Sequence, residues 1–189
     1  MELIKNIRLK IGNNILRKKV EKIKRKVCYS NIEFVKKIGI VWDASQVDDF
    51  AYLSKFCQTM NEKQVEVKII GYYAGKNLPD RYTAQRYLNC LRREEVSFFY
   101  LPVSYEAESF INKRFDVLID INFKNLLPLK YISSLSNAAL KVGLSEHEKS
   151  GNGFDLMIDL KKPVRVDTFL EQTIHYLEMI HAEQAEKIH

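Results

Sequence analysis

A chain of 189 residues, 46% hydrophobic and 29% charged, is long enough for one domain with a sizeable core. Its three cysteines, Cys28, Cys57 and Cys90, are widely spaced and form no CxxC pair, so neither a disulfide framework nor a zinc knuckle is indicated and a reducing cytoplasm is expected. The net charge of +6 is segregated: residues 1–30 hold ten Lys and Arg against Glu2 and Glu21, a net +8, and the remaining 20 basic and 22 acidic residues leave the body at −2.

The chain opens on that basic segment, whose cations are Lys5, Arg8, Lys10, Arg17, Lys18, Lys19, Lys22, Lys24, Arg25 and Lys26. No continuous apolar core follows the early charges, so the segment does not read as a signal peptide. No stretch of the chain approaches the roughly 20 apolar residues of a membrane span. Ile4, Ile7, Ile11 and Ile15 recur at helical spacing, and Leu16, Val20, Ile23 and Val27 continue a drifting stripe. Gly12, in "IGNN", weakens a helix at that point. Residues 1–30 therefore read as a basic amphipathic arm, in one helix or two, ahead of an α/β domain over 31–189.

Beyond Asn31, strands and helices alternate. "KIGIVW" (Lys37–Trp42) reads as a buried strand ending at Asp43, and Ser45 with Asp48 resembles a capping box for a helix running to about Asn61. "VEVKIIGYY" (Val65–Tyr73) is the second strand; Pro79–Asp80 reads as a turn and Thr83 as the start of a helix. "VSFFYL" (Val96–Leu101) is expected as the third strand, then a helix over Tyr105–Asn112 and a strand over Phe115–Ile121. A helix over Leu127–Leu135, strands over Leu140–Leu144 and Phe154–Leu160, and a helix from Val166 to about Ala185 complete the reading. Strands apolar throughout and separated by helices belong to a parallel sheet covered on both faces. The expected fold is a single doubly wound, mostly parallel Rossmann-like sheet of five to six strands.

Such sheets bind ligands beyond the carboxyl ends of their strands. Asp43, Asp120 and Asp159 stand at or just after three such ends and are the candidate site carboxylates. Grouped, they would suit Mg²⁺ and phosphoryl chemistry; singly, each would cap the loop that follows. No glycine-rich turn follows the first strand, GxxxxGK[ST] is absent, and "SGNG" (Ser150–Gly153) precedes a strand instead of opening a helix. Dinucleotide and P-loop nucleotide binding are thus not expected, and no cofactor is assigned. His175, Glu178 and His181 share one side of the last helix, but opposite its apolar stripe, so they read as a solvated face and not as metal ligands. His147, between Glu146 and Glu148, reads the same way, and Cys57 and Cys90 read as core residues on helical faces. Tyr72, Tyr73, Tyr82 and Tyr87 interleave with Lys76, Arg81 and Arg86, a texture that can stack bases, although packed rings with wet hydroxyls are the commoner outcome.

From Lys37 onward "IGIVWDAS", "VKIIGYY", "FDVLIDINF", "LPLKYISSLSNAALKVG" and "FDLMIDL" resemble a family of short, uncharacterised bacterial proteins that also begin with a lysine-rich helix. That resemblance implies no activity. "DVLIDI" (Asp116–Ile121) and "KVG" (Lys141–Gly143) are also similar to the N-terminal half of heptosyltransferase-type glycosyltransferases, which implies a Rossmann-like fold. The chain lacks the glycine-rich acceptor loop of those enzymes, and at this length their second, nucleotide-sugar domain is not expected in it. The leading expectation is a non-enzymatic α/β interaction domain whose arm binds an anionic partner, RNA or a ribonucleoprotein slightly ahead of a membrane surface. The alternatives are a small enzyme or phosphometabolite- or sugar-binding protein using the sheet-edge carboxylates, and an adaptor that dimerises through the arm. Catalysis stays open, and the expected location is cytoplasmic, with peripheral attachment through the arm.

Overall fold

A computed structural model describes residues 2–150 and 153–180. Its six strands are β1 (Lys37–Asp43), β2 (Glu66–Tyr73), β3 (Leu88–Arg92), β4 (Val117–Ile121), β5 (Leu140–Leu144) and β6 (Leu156–Ile158). They form one sheet of order β3-β2-β1-β4-β5-β6 with every neighbouring pair parallel. That is the doubly wound order, in which the chain works outward from β1 in one direction and then returns to continue from β4 in the other. The helices are α1 (Glu2–Val20), α2 (Asp49–Glu62), α3 (Asp80–Thr83), α4 (Tyr105–Asn112), α5 (Leu127–Leu135) and α6 (Val166–Met179).

The sheet has a core on each face because its central strands are apolar on both sides. Ile38, Ile40 and Trp42 pack with Leu53, Met60, Phe169 and Leu177 of α2 and α6. Val41, Ile70 and Leu118 pack with Ala107, Phe110, Leu129 and Ile132 of α4 and α5. Trp42 is closed in by Tyr82, edge-on at 5.2 Å, and by Phe50 at 6.3 Å. A β-carbon at Gly39 would meet the Phe115 ring and Leu118, so that residue lets the chain beside β4 approach β1 closely.

Helix α1 adds a layer outside α5. Leu16 packs with Leu101, Leu127, Tyr131 and Leu135, with Leu9, Ile15 and Val20 around them. Gly12 is buried against the Phe99 carbonyl oxygen, where a side chain would collide. The helix is therefore continuous through Gly12, whose missing side chain is the point of closest approach. After Val20 the chain runs as an extended strap to the other end of the sheet. There Arg25 donates to both carboxylate oxygens of Asp155, at 2.5 and 2.6 Å, and to the carbonyls of Ala138 and Ala139. The Cys28 N–H donates to the Ala139 carbonyl (3.0 Å), and the Asn31 side-chain amide to the carbonyls of Glu178 and Ile180.

Three expected elements differ. The third strand is Leu88–Arg92, not Val96–Leu101, which instead makes a turn closed by one antiparallel bridge between Val96 and Pro102. Its Phe99, Tyr100 and Leu101 are apolar because they receive α1, not because they enter the sheet. The helix expected from Thr83 ends there, since α3 occupies only Asp80–Thr83. Ser45 and Asp48 form no capping box; α2 starts at Asp49 and Asp48 makes no side-chain cap. α6 ends at Met179 with Ile180 in extended backbone, and the rest of the stretch expected as helix to about Ala185, with His181, falls outside the described residues.

Candidate functional site

The strand order reverses between β1 and β4, and the crevice beyond their carboxyl ends is where open α/β sheets take ligands. Asp43 closes β1. Its Oδ1 accepts the Ser45 N–H at 3.1 Å, its Oδ2 accepts the Gln46 amide at 3.3 Å, and Lys124 Nζ stands 3.5 Å from Oδ2. The loop after β4 is held from within: Asn122 Oδ1 accepts the Leu126 N–H (2.8 Å) and its amide donates to the Leu126 carbonyl (3.0 Å). That clasp places Lys124 over Asp43 and leaves Asn125 at a φ of 52°. It also delivers the chain into α5, whose first turn has no side-chain cap and contains Pro128.

A cavity of about 430 Å³ opens here, between α1, the β4–α5 loop and the start of α5. Lys5, Lys124 and Lys130 line it together with Asn13, Tyr72, Tyr100 and the apolar residues Leu9 and Leu126. Burial lowers the pKa of Lys130 from its ordinary value. A second, smaller concavity of about 210 Å³ lies beside it, lined by Asp43, Gln46, Asp49, Phe123 and Lys124. Asp49 has its pKa raised, chiefly by burial, with the Trp42 indole opposing.

The three expected carboxylates are not one site. Asp120 lies within β4 in register with Val41 and is enclosed. Its Oδ1 accepts the Asn122 N–H at 2.8 Å, while Oδ2 is buried without a hydrogen-bond partner. Burial pushes its pKa up, against the opposing influences of Ser133, the Asn122 N–H, His147 and Lys141. Asp159 follows β6, beyond β5, and is exposed, accepting the Ser145 hydroxyl at 3.2 Å. Among the described residues no three of His, Cys, Asp or Glu converge to hold a metal ion. His147 corrects the sequence reading: it is buried near Asp120, not solvated. Tyr82 is also buried, donating to the Ala44 carbonyl, and Arg81 lies over the Phe50 and Tyr82 rings. Cys57 is a core residue on α2 as expected, whereas Cys90 sits on β3 and not on a helix; burial drives both thiols up to about 12.

The ten basic residues divide by role. Arg8 donates to the Phe98 carbonyl (2.6 Å) and lies 4.1 Å over the Phe98 ring and 4.4 Å over that of Tyr100. Lys19 donates to the Tyr131 hydroxyl at 2.6 Å, and Arg25 is committed to Asp155. Lys5, Lys10, Arg17, Lys18, Lys22, Lys24 and Lys26 are exposed, Lys5 at the cavity rim. Lys124 and Lys130 escaped the sequence reading, although "FKNLLPLK" between a strand and the next helix marks a switch-point loop carrying two cations.

The outer face of α1 is apolar as well as basic. Leu3, Ile4, Ile7 and Ile11 are 73, 60, 50 and 38% exposed, on the side turned away from Gly12 and Leu16. Phe98, 63% exposed, lies against Arg8, which flanks Ile4, Ile7 and Ile11 on the helix. No described helix is long and apolar enough to cross a membrane.

These features define a single-sheet, all-parallel α/β protein carrying a basic helix against its switch-point crevice. The chain belongs to a family described as "Family of unknown function (DUF6913)", whose model matches residues 8–180. No curated protein and no solved structure matches the chain. The resemblance to an uncharacterised family is thereby shown, and the glycosyltransferase likeness has no counterpart in these comparisons.

Proposed function

We propose that the protein is a non-enzymatic binding domain that attaches to an anionic membrane surface through the outer face of α1. The observation that carries this is the exposed run of Leu3, Ile4, Ile7 and Ile11 among Lys10, Arg17 and Lys18. RNA would neutralise the cations but leave four aliphatic side chains in water. A second copy docked on the same face would cover the aliphatics but bring like charges together. An anionic bilayer satisfies both, since the aliphatics enter the acyl boundary and each cation near the surface contributes about 1 kcal/mol. Phe98, from the neighbouring turn, supplies the aromatic side chain that α1 lacks. The sheet-edge carboxylates support a binding role over catalysis, Asp43 being engaged with its own loop and Asp120 enclosed.

Removing residues 1–30 would also remove Leu16 and Arg25 from the fold, so the test uses surface substitutions. The full chain should co-sediment with phosphatidylcholine vesicles containing phosphatidylserine, weakly or not at all with phosphatidylcholine alone, and less as salt rises. Ile7→Glu should weaken that binding at least tenfold, as one aliphatic side chain contributes about 1.5–3 kcal/mol on burial. Absence of binding to anionic vesicles would overturn the reading. So would retention of RNA, or a dimeric mass at micromolar concentration abolished by Ile7→Glu, in a protein that ignores vesicles.

A further inference from the structure

We propose that the cavity at the switch point binds a small molecule bearing a phosphate monoester, with Lys5, Lys124 and Lys130 around the phosphate and an apolar or aromatic body against Tyr72, Tyr100 and Leu126. Two segments distant in sequence send lysines to one concavity: α1 with Lys5, and the β4–α5 loop running into α5 with Lys124 and Lys130. Among the described residues its lining contains no Asp or Glu, whereas three other concavities each contain at least one. Lys124 faces Asp43 at 3.5 Å and Lys130 Nζ reaches Asn13 Oδ1 at 3.5 Å, so a bound anion would add the counter-charge that the cavity lining does not itself supply. Lys130 is half-buried there, and an anion would offset the desolvation that depresses its ammonium form. Lys124 is mostly exposed and its pairing with Asp43 is loose at 3.5 Å, so its ammonium can turn to a ligand without leaving a tight bond.

Two further features favour phosphate over other anions. The uncapped first turn of α5 opens beside the lysines, and helix starts favour phosphate oxygens. A cavity of about 430 Å³ has room for more than a bare ion and falls in the range used for small metabolites. Tyr100, held at a φ of 60° with the Arg8 guanidinium over its ring, forms one wall with Tyr72. The chemistry is that of a phosphorylated metabolite of mononucleotide size. A lipid with a phosphomonoester headgroup offers the same anion, and this site is independent of the outer face of α1 that meets the bilayer.

The test is calorimetric and NMR titration of the full chain with AMP, pyrophosphate and adenosine, alongside phosphatidic acid and phosphatidylglycerol vesicles. AMP and pyrophosphate should bind saturably and perturb the amides of Lys124 to Leu129, and adenosine should not bind. Lys5→Ala and Lys124→Ala should each weaken AMP binding by roughly tenfold or more, while Lys22→Ala, outside the cavity, should leave it unchanged. Preference for phosphatidic acid over phosphatidylglycerol that disappears in Lys124→Ala, without response to AMP, would assign the phosphomonoester to a lipid. No response to AMP, pyrophosphate or phosphatidic acid at millimolar concentration would overturn the proposal. Equal binding of adenosine and AMP, or affinities untouched by both lysine substitutions, would overturn it too.

Discussion

Lys141 is a lysine of β5 with 2% of its surface exposed, and burial, helped by Arg25, drives its pKa down from 10.5 to about 7 while Asp155 and Asp120 oppose the shift. Its Nζ donates to the Ser134 carbonyl at 2.7 Å, so the amine is satisfied as a donor but poorly placed as a charge. The folded state therefore releases this proton near pH 7, whereas the unfolded chain keeps it to about 10.4. Across that interval the unfolded state binds more protons, so stability rises with pH. The full interval corresponds to on the order of 4 kcal/mol, and the stretch from pH 7 to pH 8.5 to roughly 1.5 kcal/mol. The window ends at about pH 8.5, where the thiols of the unfolded chain ionise, because Cys57 and Cys90, both raised to about 12, contribute the opposite slope above it. Urea unfolding at half-unit steps of pH measures the slope directly. The parent should gain stability over this window and Lys141→Met should not, since methionine fills a similar volume with no proton to lose. Asp120 works in the other direction: its raised pKa makes stability fall as pH rises from about 3.9 to its folded value, and Asp120→Asn should flatten that limb. A Lys141→Met protein with the parent's slope between pH 7 and pH 8.5 would refute the reasoning.

Other consequences are open to simpler measurements. Arg25→Ala leaves the mostly buried Asp155 carboxylate with only the Lys141 N–H and should cost roughly 2–4 kcal/mol in urea unfolding, whereas an exposed cation such as Lys22 should change stability little. Gly12→Ala should destabilise by roughly 1–3 kcal/mol despite a gain of about 1 kcal/mol in helix propensity, because the new methyl group meets the Phe99 carbonyl. A stabilised Gly12→Ala protein would show that α1 is not seated as described. In Ellman's assay at pH 8 the native protein should expose at most the thiol of Cys28 promptly, with Cys57 and Cys90 reacting only on unfolding.

The fold was legible where local pattern and tertiary use agree. Tyr105–Asn112, Leu127–Leu135 and Leu140–Leu144 occupy the expected ranges because the Ser104 cap, Pro128 in the first turn of α5 and the apolar run of β5 mark their boundaries. The third strand was not legible: "LNCLR" is an edge strand that buries only Leu88 and Leu91, and the nearby "VSFFYL" has the stronger strand texture. What makes "VSFFYL" apolar is a helix some ninety residues earlier in the chain, a cause that local periodicity cannot register. The same contact explains the drifting stripe of α1. It is two stripes, Leu9, Gly12, Leu16 and Val20 facing α5 and Ile4, Ile7 and Ile11 facing outward, and only packing separates them. At the site, Asp43 was recognisable as the end of a strand, whereas Lys5 shares a cavity but no sequence neighbourhood with Lys124 and Lys130. His147, flanked by two glutamates, looked solvated, yet the turn after β5 carries it inward beside Asp120.

The bilayer attachment of α1 is tested most directly by placing an indole on its outer face. Trp42 is the sole tryptophan and is fully buried, so its emission provides a fixed background for an Ile7→Trp protein. On titration with phosphatidylserine-containing vesicles the new indole should shift its emission to the blue and be quenched by brominated acyl chains. Phosphatidylcholine vesicles should do neither. An emission spectrum unchanged by anionic vesicles, in a protein that remains folded, would contradict the attachment of this face to a membrane.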